Sequence, residues 1–260
     1  MTLKITRHGA TAVLAMDRPD QRNALSLEMR EAFARALPEL REDDGIKAVV
    51  LTGSGGHFCA GGDIKSIAQA HAQGLDAFEG RARIRKIHQW YDALVDLEKP
   101  VISAVEGVAF GAGLSLALCA DYAIARRGAT FCAVFARIGY VPDMLGMYLL
   151  PRAVGLARAK ELVFTARVCD AEEALDLRLV QALCDGDPLE QALAMAERFH
   201  NAPTQALGLA KTIMNRTFES SREDIYAQEA MAQAICRDSA FHREAARRFV
   251  EKLPPAYKWD

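Results

Sequence analysis

No apolar run in this 260-residue chain reaches the ~18 to 20 residues that a membrane span requires, so a helical membrane anchor is not expected. The N-terminus, MTLKITRHGATAVLAMDRP, also lacks the charged-then-apolar pattern of a secretory signal. An excess of one charge is missing too: 32 Lys and Arg stand against 34 Asp and Glu, which leaves no electrostatic footprint for nucleic acid or an anionic lipid surface. There is no cysteine framework. Six cysteines are scattered without CxxC spacing, several inside apolar runs, as reduced and packed thiols are. Neither a metal site nor a disulfide scaffold follows, and the expectation is a cytoplasmic protein with a large core.

What is present is a recurring unit. Residues 2–17 alternate around His8-Gly9 and predict a β-hairpin, and a polar loop to Ala24 leads into a helix from Ser26 to about Glu42. Ala48 to Gly53 reads as a short buried strand, followed by the glycine-rich loop Ser54 to Asp63. A helical start at Ile64, a mobile connection from His71 to Gly80 and an amphipathic helix over 81–97 come next, ended by Lys99-Pro100. Further strands are expected from Val101, over Ala123–Ala125 and over Thr130–Phe135. Strand, glycine turn and helix thus repeat at the spacing of βα units, which predicts an α/β fold with mostly parallel strands. From about Pro188 to Val250 the pattern is helical only.

Two glycine-bearing loops, at Ala60 and at Gly111-Ala112-Gly113, each precede a helix. If the strands before them are neighbours, two backbone amides can converge on one oxygen and stabilise enolate-like charge there. Ordinary βα turns with glycine for steric reasons fit the same pattern. Asp143 sits among apolar residues, where a carboxylate's pKa rises and suits it to take and return a proton. It also stands just before MLGMYLL, and an N-cap fits that local pattern better. His57 and His88 lack partners at metal-ligand spacing and read as surface or cap residues. Arg81 to Lys86 reads as a solvated face whose functional alternative is contact with ligand phosphates. Cys59, Cys119 and Cys132, without a paired His, read as packing residues.

Five segments, in order and spanning essentially the whole chain, carry a resemblance: RPDQRNAL (Arg18 to Leu25), AVVLTGSGGHFCAGGDI (Ala48 to Ile64), KPVISAVEGVAFGAGLSLALCADYAIA (Lys99 to Ala125), IGYVPD (Ile138 to Asp143) and AFHREAARRFVEKLPPAY. The chain resembles the crotonase, or enoyl-CoA hydratase/isomerase, superfamily. The resemblance implies a crotonase-like spiral of ββα units as a catalytic core over 1–194 and a helical trimerisation region over 195–260, in a homotrimer or dimer of trimers. It implies an acyl-CoA thioester as ligand, coenzyme A being part of the substrate and no further cofactor being needed. The thioester oxygen would be held by the amides of Ala60 and Ala112. Arg22, Ala24 and the segment Ala60, Gly61, Gly62, Asp63, Ile64 match positions lining the CoA arm, Gly111 belongs to the second loop, and Phe249 and Lys252 match a stretch that reaches a neighbour's CoA.

Two departures bear on the reaction. Family hydratases carry a pair of glutamates where this chain has Ser115 and Phe135, and a hydroxyl and a phenyl ring cannot do paired acid and base work. Asp143 matches the single acidic base of several family isomerases, and its VPD sequence looks particularly like the isomerases of bacterial phenylacetyl-CoA degradation, which rearrange a ring epoxide and shift enoyl double bonds. The resemblance therefore implies an isomerase with Asp143, Ala60 and Ala112 as its machinery. A hydratase, hydrolase or dehalogenase using Asp143 and a non-catalytic CoA-binding relative are the alternatives. A third departure is Arg178, where the family has a helix-ending glycine, so a retained left-handed cap would be strained by about 1 kcal/mol.

Overall fold

The structure, a computed structural model, describes residues 2–64, 66, 72, 74 and 76–259. The expected hairpin forms as β1 (Leu3–His8) and β2 (Thr11–Met16), antiparallel and turned at Gly9, whose φ is +60°. Ser26 caps α1 (Leu27–Glu42) by accepting from the Met29 amide, and β3 (Ala48–Gly53) falls where the sequence places it. The expected helix from Ile64 lies largely outside the described residues, as do His71, Gln73 and Leu75 of the expected connection, whose end, from Ala77, is helical instead. α2 runs from Ala77 to Val95, four residues earlier than expected, because Asp76 and Glu79 form a reciprocal capping box at its start.

β4 (Val101–Val105) and β6 (Tyr122–Arg126) continue the main sheet, which β9 (Ala182–Cys184) completes in the order β1-β2-β3-β4-β6-β9, parallel except for the hairpin. Every residue of β4 is buried, as a parallel strand covered on both faces must be. Alternate side chains feed two cores. Val49 and Leu51 face the core shared with α1 and α2, where Phe33 stacks on Trp90 at 5.0 Å. Val50 and Ile102 face α7 (Pro188–Glu197) through Ala192 and Ala196. The division expected at 194/195 thus falls inside a helix packed on the sheet.

A second sheet, not foreseen, joins β5 (Val108–Phe110), β7 (Thr130–Cys132) and β8 (Cys169–Asp170). β7 is shorter than expected: a 3-10 turn takes over at Val134–Ile138 and carries Phe135 out of the sheet. Between these strands lie α3 (Ala112–Leu118), α4 (Gly146–Val154) and α5 (Leu156–Thr165), and α6 (Ala171–Asp176) follows β8. Arg178 does keep the left-handed conformation after α6, at φ +63°.

The all-helical end is confirmed as α8 (Thr204–Met214), α9 (Arg222–Arg237) and α10 (Ala240–Val250) after α7. α8 is tied to the base of β4, since Lys211 Nζ lies 2.8 Å from Asp121 Oδ2, which also accepts from the Val101 amide. α9 and α10 bury no residue within the chain, and Met231, Ile235, Phe249 and Val250 on them are exposed. Among the described residues no helix is long and apolar enough to cross a membrane.

Candidate active site

The Ala60 and Ala112 loops meet because Phe58 and Cys59 pair with the second sheet. The Cys59 amide donates to the Val108 carbonyl at 2.9 Å and the Phe110 amide to the Cys59 carbonyl at 3.0 Å, an isolated parallel bridge between Cys59 and Ala109. This lays Ala60 and Gly61 against Phe110 and Ala112. A Cβ at Gly61 would lie 2.8 Å from the Phe110 carbonyl oxygen and 3.5 Å from the Ala112 nitrogen, so only glycine allows the approach. Gly111 has φ +54° and ψ −121°, a region closed to side chains, and it turns the chain so that Ala112 becomes the first residue of α3. An amide at that position has no partner in its own helix.

The RPDQRNAL loop buttresses this arrangement. Asn23, fully buried and left-handed at φ +58°, donates to the Ser54 and His57 carbonyls at 2.9 and 2.6 Å and accepts from the Arg18 amide. Arg18 pairs with Asp63 at 3.0 Å and donates to the Ala24 carbonyl at 2.7 Å. Arg22 and Ala24 do not line the cavity with their side chains; they contribute backbone oxygens. The Ala60 amide donates to the Arg22 carbonyl at 2.9 Å, so it reaches a ligand oxygen only by sharing or exchanging that bond.

A cavity of about 750 Å³ opens beside the two loops and is lined by Ala60 to Ile64, Gly111, Ala112, Val134, Phe135 and the segment Ile138 to Met144, with α2 forming the opposite wall. Asp143 lies on this wall with both loops. It is not the N-cap of α4: Leu145 takes that position, and the Asp143 main-chain carbonyl accepts from the Gly146 amide at 2.8 Å instead. Met144 and Leu145 are both left-handed, at φ +48° and +55°, an unfavourable pair costing on the order of 1 kcal/mol each that aims the preceding side chain inward. Asp143 Oδ1 is buried without a hydrogen-bond partner. Burial raises its pKa above the ordinary carboxylate value, against the smaller opposing effects of a backbone hydrogen bond and the charges of His88 and Arg30.

Ser115 stands behind this wall, 2% exposed, and does not line the cavity. Its hydroxyl donates to the Asp143 carbonyl at 3.0 Å, while its own carbonyl accepts from Tyr91 at 2.6 Å. Phe135 does line the cavity, as an apolar surface. Phe249 and Lys252, in and after α10, do not line it; Phe249 is exposed. Residues that the sequence reading did not place in the site also line it, Arg30 and His88 among them, as does Arg83, from the group whose alternative reading was contact with ligand phosphates. Arg30 left a legible signal, a charge on the otherwise apolar buried face of α1 formed by Met29, Phe33, Ala36, Leu37 and Leu40. The buried thiols of Cys59 and Cys119 are pushed up to about 12 by burial, which keeps them protonated packing groups.

Comparison with known proteins decides the family. The family model described as enoyl-CoA hydratase/isomerase matches residues 6–260. The chain belongs to the enoyl-CoA hydratase/isomerase family. It is an enzyme of that crotonase superfamily, whose members act on acyl-CoA thioesters. The 1,2-epoxyphenylacetyl-CoA isomerase of Escherichia coli (strain K12) is 34% identical over 94% of this chain and 93% of its own. Among solved structures, the enoyl-CoA hydratase/isomerase of Cupriavidus metallidurans CH34 superposes with a TM-score of 0.92 at 35% identity, covering 99% of this chain and 96% of the other. An enoyl-CoA hydratase from Polaromonas sp. JS666 gives 0.90 at 33%, covering 98% and 99%. Names of both activities occur at similar identity, so the reaction has to be argued from the site.

Proposed function

We propose that this enzyme isomerises an unsaturated acyl-CoA, moving a double bond through an enolate. Asp143 removes a proton from C2 of a 3-enoyl thioester. The negative charge develops on the thioester oxygen, where the Ala112 amide donates, joined by the Ala60 amide as it turns from the Arg22 carbonyl. Asp143 then returns the proton at C4, giving the conjugated product. One carboxylate suffices because the proton leaves and re-enters on the same face, and Phe135 helps keep water from the intermediate.

The observation that carries this reading is a buried, unpartnered Asp143 Oδ1 on the wall shared with both amide loops, while the hydratase glutamate positions hold Ser115 and Phe135. Ring-epoxide rearrangement, the reaction in the name of the Escherichia coli relative, would use the same groups. The test is a 3-enoyl-CoA incubated in heavy-oxygen water with wild type and Asp143→Asn. Conjugated product without heavy oxygen, formed by wild type and lost in the variant, supports isomerisation. Heavy oxygen in the product assigns hydration or hydrolysis instead, and binding without turnover of any acyl-CoA in a broad panel would leave a CoA-binding protein. We infer further that the apolar faces of α9 and α10 are covered by other copies of the chain in a trimer, since no residue of either helix is buried within one chain.

A further inference from the structure

The basic side chains on the cavity wall, Arg30, Arg83 and His88, have no part in the proton transfer. Arg30 is 8% exposed. Its one hydrogen bond runs from Nε to the Ser26 carbonyl at 3.3 Å, and neither terminal guanidinium nitrogen has a partner among the described residues. Arg83, half-buried, forms no ion pair or hydrogen bond among them either. Arg30 and Arg83 line the same cavity, and Arg30 feels the charges of Asp143, Asp63 and Glu31 without forming an ion pair within 4 Å with any of them. The acids on the wall are Asp63, Asp76 and Asp143. Asp63 is paired with Arg18 and Asp76 caps α2, and residues 64–75 of the sequence contain no Asp or Glu.

A guanidinium kept cationic at every accessible pH and held out of bulk water with no carboxylate in contact is costly. A leucine or methionine at position 30 would extend the apolar face of α1 and avoid that cost. The cavity therefore presents two cations without a contacting carboxylate on the wall that also carries Asp143, an arrangement complementary to an anion on the substrate's acyl group.

We propose that Arg30 and Arg83 form an acyl-end anion subsite, and that the preferred substrates are acyl-CoA thioesters whose acyl chain ends in a carboxylate. This deepens the isomerase reading by naming the substrate class and rests on it only for where the acyl group lies. It also places the enzyme after a reaction class that delivers unsaturated dicarboxylic thioesters, such as ring opening or terminal oxidation of a chain.

The test uses binding, which needs no turnover and so separates failure of this proposal from failure of the isomerase reading. Isothermal titration with saturated pairs, glutaryl- against pentanoyl-CoA, adipoyl- against hexanoyl-CoA and suberoyl- against octanoyl-CoA, compares a terminal carboxylate with a terminal methyl at equal chain length. In at least one pair the dicarboxylic ligand is expected to bind tenfold or more tightly to wild type. Arg30→Met and Arg83→Met should bring that ratio near one while leaving the methyl-ended ligand within threefold, and Arg30→Lys should retain part of the preference. Should Arg30→Met fail to fold in a thermal melt, Arg30→Gln and Arg83→Gln carry the same comparison. Equal wild-type affinity within all three pairs would overturn the proposal. So would an equal loss for both members of each pair in the variants, which would assign the arginines to the coenzyme phosphates or to the fold.

Discussion

The Ser115 hydroxyl donates to the main-chain carbonyl of Asp143 at 3.0 Å. A position that carries a glutamate in family hydratases here holds the backbone of a candidate base, and Tyr91 fixes Ser115 in turn. The wall holding Asp143 is therefore braced from behind by side chains that do not line the cavity.

Removing the base should separate chemistry from binding. Asp143→Asn keeps the shape of the side chain and is expected to lower kcat for a 3-enoyl-CoA by about 10² to 10⁴. Acyl-CoA affinity should stay within a few-fold by titration calorimetry. A variant with undiminished kcat would remove Asp143 from the reaction.

The pH dependence has a defined sign. Burial raises the Asp143 pKa above its ordinary value of 3.8, so kcat/KM should fall with acidification through a limb displaced above that value, and the limb should be absent from the residual activity of Asp143→Asn. Stability moves the other way. In the interval between the unfolded and folded pKa the native state binds more protons, so stability falls as pH rises through it. Asp143→Asn should accordingly be more stable than wild type above that interval, the difference closing below it, as read by denaturant titration at a series of pH values.

Rebuilding a hydratase by Ser115→Glu should fail for lack of room. The Ser115 Oγ already lies 2.8 Å from where a Cβ on Gly146 would stand, and the site is closed by Tyr91 and the Asp143 loop. The larger side chain is expected to cost about 1 to 3 kcal/mol by over-packing, with no gain of hydration activity. Ser115→Ala should cost about 1 kcal/mol for the lost hydrogen bond and lower kcat more than it raises KM. Chemical denaturation and steady-state kinetics read both.

Asn23→Ala should be destabilising by at least about 2 kcal/mol. It strips two buried carbonyls of their donor and places a Cβ-bearing residue without a local hydrogen bond in the left-handed region. The measurement is the denaturation midpoint, and acyl-CoA affinity should fall with it because the 54–63 loop loses its support.

Cys59 and Cys119 should resist iodoacetamide in the native protein at pH 8 and become labelled only on unfolding, as followed by peptide mass spectrometry. Their thiols are buried and pushed up to about 12. Rapid native labelling of Cys59 would return it to consideration as a nucleophile.

Several features of this molecule were legible in the chain itself. The hairpin at Gly9, the buried run of β4 and the capped start of α1 each follow from alternation, β-branching or a Ser cap, all local interactions between residues close in sequence. The five ordered motifs likewise carried the family. What local pattern could not supply was partnership across distance. Asp143 looked like an N-cap because the helix behind it is visible in sequence; the left-handed pair Met144-Leu145, which moves the cap to Leu145 and leaves Oδ1 on the cavity wall, is not. The second sheet joins segments tens of residues apart, and that pairing brings the Ala60 loop onto Ala112. Arg83 read as part of a solvated face and Arg30 was not singled out, until folding set them on a single cavity. A helix or turn depends on neighbours along the chain, whereas the surroundings of a charge depend on whatever the rest of the fold brings against it.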